Sequence, residues 1–273
     1  MPNVASFVIG HMLGPAAVTT FTIPRLLVSY TNWVMVSATQ VMAPKAAVYH
    51  FGEHTDHQKE LFLIGGQYNW ALTLFFVGGA LLFGSPLLTL WQGGPQPTEY
   101  HLLLILMFGE AIPLSQWITY NAAVSMGRHR RLAVYGLVEA LCILVLGAVA
   151  VKFAGLEGIA VVAAIAALTF RGVLQMDYGR RLIKVGLAEY VKTVFLSVTA
   201  ISALPLVLTA LTVWWVRPQT WLVFVAESAI YGALYWGCLA GPLHFWRLKA
   251  RTGLMEQAAP SSGYEQRVSN PEG

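Results

Sequence analysis

Arg25 stands near the middle of a long apolar stretch, Leu13 to Phe51. About 20 helical residues cross the hydrocarbon of a bilayer, so this stretch is long enough to span, and a spanning helix tolerates an arginine poorly. On a helix, Thr22, Arg25, Ser29, Asn32 and Thr39 or Gln40 recur at the three-four spacing of a single face. Ile23, Leu26, Leu27, Tyr30 and Val34 make an apolar face opposite. A polar stripe at membrane depth borders water or another helix, and the stripe reads as the wall of a cavity. A guanidinium there costs about 2.5–3.5 kcal/mol on insertion scales and usually faces a bundle interior. Its chemistry would be a phosphate clamp, since the planar fork matches phosphate oxygens and keeps its charge. Two other roles compete: pairing with a carboxylate such as Glu110, or snorkelling to the outer headgroups. Thr22, Ser29 and Asn32 taken singly are helix-to-helix hydrogen bonders. Only as a stripe that includes Arg25 do they suggest a solvated wall. Pro24 and Pro44 are bending points.

Glu110, Pro113, Trp117 and Asn121 form a second such face. A carboxylate beside a proline could hold a coupling cation or proton, or pair with Arg25. Glu139 and Glu227 read as lone carboxylates in apolar spans, and Arg171 with Asp177 as a local ion pair near the inner interface. The loop with His50, Glu53, His54, Asp56 and His57 has two histidines three apart, but no second ligand cluster supports a metal, and it reads as a solvated loop. Gly-rich phosphate loops, G-x-S-x-G and H-E-x-x-H are absent. No enzyme activity, metal or cofactor is expected.

These residues need an all-helical membrane scaffold. Of the 273 residues, 56% are hydrophobic and only 11% are charged, against about 25% charged in soluble domains. The spacing predicts seven full spans: the stretch just described, then approximately 61–91, 100–126, 132–153, 159–174, 193–216 and 220–246. The second is over-long, with expected breaks at Gly65-Gly66, Gly78-Gly79 and Pro86. A polar loop is expected from His50 to Glu60. The opening run, residues 3 to 13, is too short to span and reads as the last turns of a helix whose beginning is missing. The tail from 248 is polar and expected to be disordered. Cys142 and Cys238 sit in apolar runs as small hydrophobes.

The net charge of +4 does not signal nucleic acid, because the basic residues lie in short patches between the apolar runs. Alternating the loops puts Lys45, Lys59, Arg128, Arg130, Arg131, Arg180, Arg181, Lys184, Lys192, Arg247, Lys249, Arg251 and Arg267 on one side. The other side carries only Lys152 and Arg217. The positive-inside rule makes the first side cytoplasmic, with the C-terminus. Trp91, Trp214, Trp215 and Trp221 then form an outer aromatic belt.

Three stretches carry a family resemblance: VIGHMLGPAAVTTFTIPRLL, QVMAPKAAVYHFGEHTDHQKE and FAGLEGIAVVAAIAALTF. Together they resemble the second lobe of polysaccharide flippases, the O-antigen and teichoic-acid exporters of the multidrug/oligosaccharidyl-lipid/polysaccharide superfamily, over about residues 3 to 185. The resemblance implies two six-helix lobes around a central cavity, and export of a lipid-linked oligosaccharide across the bacterial cytoplasmic membrane by alternating access. Arg25 would contact the diphosphate, with Thr22, Ser29, Asn32 and Glu110 as further substrate-binding residues. On that reading residues 1–186 are a second-lobe bundle, 187–247 two additional transmembrane helices, and 248–273 a cytoplasmic tail. The first lobe would be a separate partner, or be replaced by a second copy. Competing readings are a multidrug antiporter with cavity carboxylates, a polyprenyl-lipid transferase using the His50–His57 loop, and an inactive fragment.

Overall fold

The computed structural model describes residues 3–40, 55–216 and 218–258, and all the regular structure among them is helical. The chain runs α1 (Asn3–Met12), α2 (Pro15–Gln40), α3 (Thr55–Gln92), α4 (Pro97–Ser115), α5 (Trp117–Ser125) and α6 (Arg130–Ala167). A π-helical turn (Leu168–Leu174), α7 (Gln175–Leu182), α8 (Leu187–Tyr190), a second π turn (Val191–Leu196), α9 (Ser197–Val216) and α10 (Trp221–Ala258) complete it. Pro44, His50, Glu53 and His54 lie outside the described residues, as do the side chains of Asp56 and His57. The metal question on that loop therefore falls outside them too.

Among the described residues, five helices are long and apolar enough to cross a membrane: Phe62–Gln92, Pro97–Ser125, Arg130–Leu182, Leu187–Val216 and Trp221–Pro242. The chain is a multi-pass helical membrane protein. α2 is long enough at 26 residues but not apolar enough on its own, because the stripe bearing Arg25 dilutes it. The 53-residue segment is two helices joined at a reversal, where Ala154 (φ −135°) and Gly155 (φ 54°) leave the helical region. A positive φ suits glycine, which has no Cβ to clash. The AGLEG turn expected from the sequence is this reversal.

Several sequence expectations are corrected. α2 starts at Pro15, after a turn at Gly14 (φ +87°), rather than at Leu13. The expected loop to Glu60 gives way to helix from Thr55. The glycines of α3 do not break it. A Cβ on Gly66 would sit 3.1 Å from Val194 Cγ2, and one on Gly78 would lie 2.7 Å from Tyr231 Oη. They are points of close helix approach, the usual use of small residues between membrane helices. The third span, conversely, is interrupted. Gln116 (φ −85°, ψ 7°) separates α4 from α5, three residues after Pro113; the proline itself removes the bond to the Gly109 carbonyl and loosens the turn before it.

Among the described residues, packing falls into three apolar clusters. The largest joins α1, α2, α3, α4 and α6 around Ile9, Phe21, Met35, Leu88, Leu102 and Ile159. A second joins α3 to α9 and α10 around Ala71, Phe83, Tyr231 and Tyr235. The third gathers Phe62, Ile118, Ile183, Tyr190 and Val194. α3 thus packs on the main bundle on one side and on α9 and α10 on the other. α1, expected to be a remnant, puts Ala5, Val8 and Ile9 into the main cluster.

α4 and α6 approach each other backbone to backbone. A Cβ on Gly109 would come within 2.5 Å of Ala164 Cα, a backbone atom that cannot swing away. Gly109→Val is expected to lower thermal stability in lipid nanodiscs by about 1–3 kcal/mol, the usual cost of overpacking. Gly232→Val, where a Cβ meets nothing within 4 Å, is the matched control and is expected to leave stability unchanged.

Candidate functional site

Two small-residue contacts flank Glu110 and bring the second arm of the α6 hairpin against α4. Gly109 meets Ala164 on one side. On the other, a Cβ on Gly172 would be 3.3 Å from Ile112 Cγ2 and 3.4 Å from Pro113 Cδ. Gly172 lies in the first π turn, directly after Arg171. π turns interrupt α-helices with one extra residue per turn and recur at functional positions. At this distance the Arg171 guanidinium reaches across to α4. Its Nη2 and Nη1 donate to the two Glu110 oxygens at 2.5 and 2.8 Å, and its Nε donates to both Glu139 oxygens at 2.9 Å.

One arginine therefore serves two carboxylates from two different helices. The Glu139 side chain is 1% exposed, Glu110 17% and Arg171 26%. Charge-assisted, bidentate pairs of this kind are the strong hydrogen bonds of proteins. Glu139 is accordingly not a lone carboxylate, Glu110 does not pair with Arg25, and Arg171 does not pair with Asp177. Asp177 instead holds Arg180 and Arg181, three and four residues on along α7. That is the spacing at which helical neighbours meet.

The triad opens onto a cavity of about 390 Å³. This is within the roughly 300–1,000 Å³ of small-molecule clefts. Arg25, Ser29 and Asn32 of α2 line it, together with Glu110 of α4, Glu139 of α6 and Arg171. Four of the five residues singled out from the sequence are thus brought to one cavity. Thr22 is not. It is exposed, and its hydroxyl donates back to the Val18 carbonyl at 2.6 Å. Asn121 of the second polar face is likewise outside the cavity lining, whereas Pro113 and Trp117 are in it.

Arg25 is half-buried, and its Nη1 donates to Ser6 Oγ of α1 at 2.7 Å. Among the described residues it makes no ion pair. Ser29 Oγ donates to the Arg25 carbonyl at 2.9 Å, and Asn32 accepts from Trp117 Nε1 at 2.8 Å, tying α2 to α5. The cavity holds two cations and two carboxylates, but geometry separates them. With all groups ionised, the Arg171 triad carries one excess negative charge, and Arg25 carries one positive charge without an acidic contact among the described residues.

Missed from the sequence were the roles of Glu139, Arg171 and Gln175. A signal existed. Residues 139 and 171 each stand 16 positions from Gly155, so a tight hairpin at that glycine places them side by side. Gln175 donates to the Gln116 carbonyl at 3.0 Å, across the break between α4 and α5. Gln116 in turn donates to Ser115 Oγ at 2.9 Å and Tyr190 Oη at 3.3 Å.

No family model, curated protein or solved structure matches the chain. The resemblance to flippases rests on the sequence motifs alone.

Removing one member of a buried charge set leaves the others uncompensated, at about 3–5 kcal/mol. Arg171→Met is expected to cost that much in thermal or denaturant unfolding of the reconstituted protein. The triple variant Arg171→Met, Glu110→Gln, Glu139→Gln is expected to recover most of the loss. A triple variant no more stable than the single one would refute this account of the triad.

Proposed function

We propose that the chain moves an anionic, lipid-linked saccharide across a bacterial cytoplasmic membrane, as the second-lobe part of a polysaccharide flippase. The observation that carries this reading is Arg25: a half-buried guanidinium on a cavity wall, bonded to a serine and, among the described residues, to no carboxylate. A guanidinium desolvated in this way has unused donors and a charge that a phosphate would satisfy. Ser29 and Asn32 supply polar surface beside it. Thr22 leaves the substrate-binding set, and Glu110 acts by occupying Arg171.

On this reading the membrane is crossed seven times. The five apolar helices become six when the long one is divided at Ala154 and Gly155, and α2 is the seventh. The exposed Trp91, Trp214, Trp215 and Trp221 stand at the outer interface, and the C-terminus is cytoplasmic by the positive-inside rule. No covalent chemistry is required. Transport follows from different affinities in the inward-open and outward-open states.

A second reading, a cation antiporter, draws on the excess negative charge of the triad. It is the weaker one, because both carboxylates are already engaged by Arg171.

The test is binding by the intact chain in nanodiscs, with a polyprenyl diphosphate, its neutral polyprenol and a lipophilic cation as probes. A charge-assisted hydrogen bond contributes about 1.5–3 kcal/mol, and 1.4 kcal/mol is tenfold in affinity. Arg25→Gln is expected to weaken diphosphate binding by about 10- to 100-fold and to leave polyprenol binding unchanged. Arg25→Lys is expected to fall between, keeping the charge but not the fork. Equal diphosphate affinity in wild type and Arg25→Gln would refute the proposal. Binding of the cation alone, abolished by Glu110→Gln, would establish the second reading.

A further inference from the structure

Away from the cavity, α10 docks on α3 through a ladder of hydroxyl groups. Tyr235 Oη donates to the Ala71 carbonyl at 2.6 Å, and Tyr231 Oη donates to the Phe75 carbonyl at 2.8 Å. Each rung moves four residues back on α10 and four forward on α3, as antiparallel helices require. Carried one step further, the same spacing sets Glu227 opposite Gly79. Further along, the Phe83 ring of α3 meets the Phe224 and Tyr231 rings of α10 at 5.9 and 5.8 Å, so the two helices stay in contact past this point. Beside Gly79 there is room, since a Cβ there would meet only Tyr231 Cε1, at 3.8 Å.

Glu227 is 7% exposed, and neither carboxyl oxygen has a hydrogen-bond partner. Among the described residues no cation on α3, α9 or the membrane-spanning part of α10 is placed to neutralise it. α3 from Phe62 to Gln92 carries no Asp, Glu, Lys, Arg or His, and neither does α9. α10 from Trp221 to Pro242 carries Glu227 as its one charged side chain. The other titratable groups in this cluster are Tyr68, Tyr231, Tyr235 and Cys238, none of them a cation. An ionised carboxylate buried without a partner is untenable in such surroundings, and the group takes a proton instead. As the acid it becomes a donor, like the tyrosines on the two rungs before it. The Gly79 carbonyl accepts one bond within its helix and has a second lone pair to offer.

We propose that Glu227 is a proton-binding site, held as the neutral acid at neutral pH and donating its O–H to the Gly79 carbonyl as the third rung between α10 and α3. The proton is exchanged with water. When it leaves, the carboxylate can no longer donate and repels the carbonyl it faced. The site does not depend on what occupies the Arg25 cavity.

Infrared difference spectroscopy tests this on the full chain in lipid vesicles, wild type minus Glu227→Gln. At neutral pH the wild type is expected to show the C=O stretch of a hydrogen-bonded carboxylic acid that the variant lacks. The band is expected to fade as the pH is raised. Absence of a difference band at neutral pH would mean an ionised Glu227 and overturn the proposal. A band at the position of a free acid would overturn the bond to Gly79. Should Glu227→Gln fail to fold, Glu227→Met gives the same subtraction.

Discussion

The guanidinium of Arg171, shared between Glu110 and Glu139, is the interaction on which the rest of the site depends. It links α4 to both arms of the α6 hairpin, because Glu139 lies before the reversal at Gly155 and Arg171 after it. A lysine could not do this, since its point charge lacks the flat fork that addresses two carboxylates in fixed directions. The linkage also decides the electrostatics of the cavity. By taking up both acids it leaves Arg25 as a cation whose hydrogen bond goes to a serine. A guanidinium in that state suits an anionic ligand.

Reaching this arrangement requires irregular helices, and irregular backbone inside a membrane must have its polar groups satisfied within the protein. Glutamines do this. Gln175 donates to the Gln116 carbonyl at the break after α4, and Gln67 donates to the Thr193 carbonyl within the second π turn. Asn69 reaches the Ser115 carbonyl beside the same break. Buried amides at 67, 69 and 175 look like candidates for substrate binding in a list of polar residues. Their partners show that they serve the backbone. The π turn and the break meet where Gly172 lies against Pro113, and that contact holds Arg171 at reach of Glu110.

Much of the fold was legible in the sequence, for physical reasons that also mark where legibility stopped. Long apolar runs announce membrane helices. The polar stripe of α2 correctly grouped Arg25, Ser29 and Asn32, because residues three and four apart share a face. Thr22 fits the same spacing but sits exposed, since a face is wider than a cavity. Glycines in α3 were mistaken for breaks because sequence does not distinguish a glycine that bends a helix from one that admits a neighbour. Arg171 was assigned to Asp177, six residues along, although six residues on a helix do not share a face and the hairpin pairs Arg171 with Glu139. Contacts between helices, such as Glu110 with Arg171, are set by crossing points that a single sequence does not display.

The account turns on Glu110 belonging to Arg171 and not to Arg25. Double-mutant cycles on unfolding free energy measure this directly, with Glu110→Gln combined in turn with Arg171→Met and Arg25→Met. Non-interacting sites add within about 0.3–0.5 kcal/mol, and residues in one salt-bridge network couple by about 0.5–3 kcal/mol. The expected result is a coupling above about 1 kcal/mol for Glu110 with Arg171 and additivity for Glu110 with Arg25. Strong coupling of Glu110 to Arg25, with additivity towards Arg171, would contradict the account and remove the free cation from the cavity.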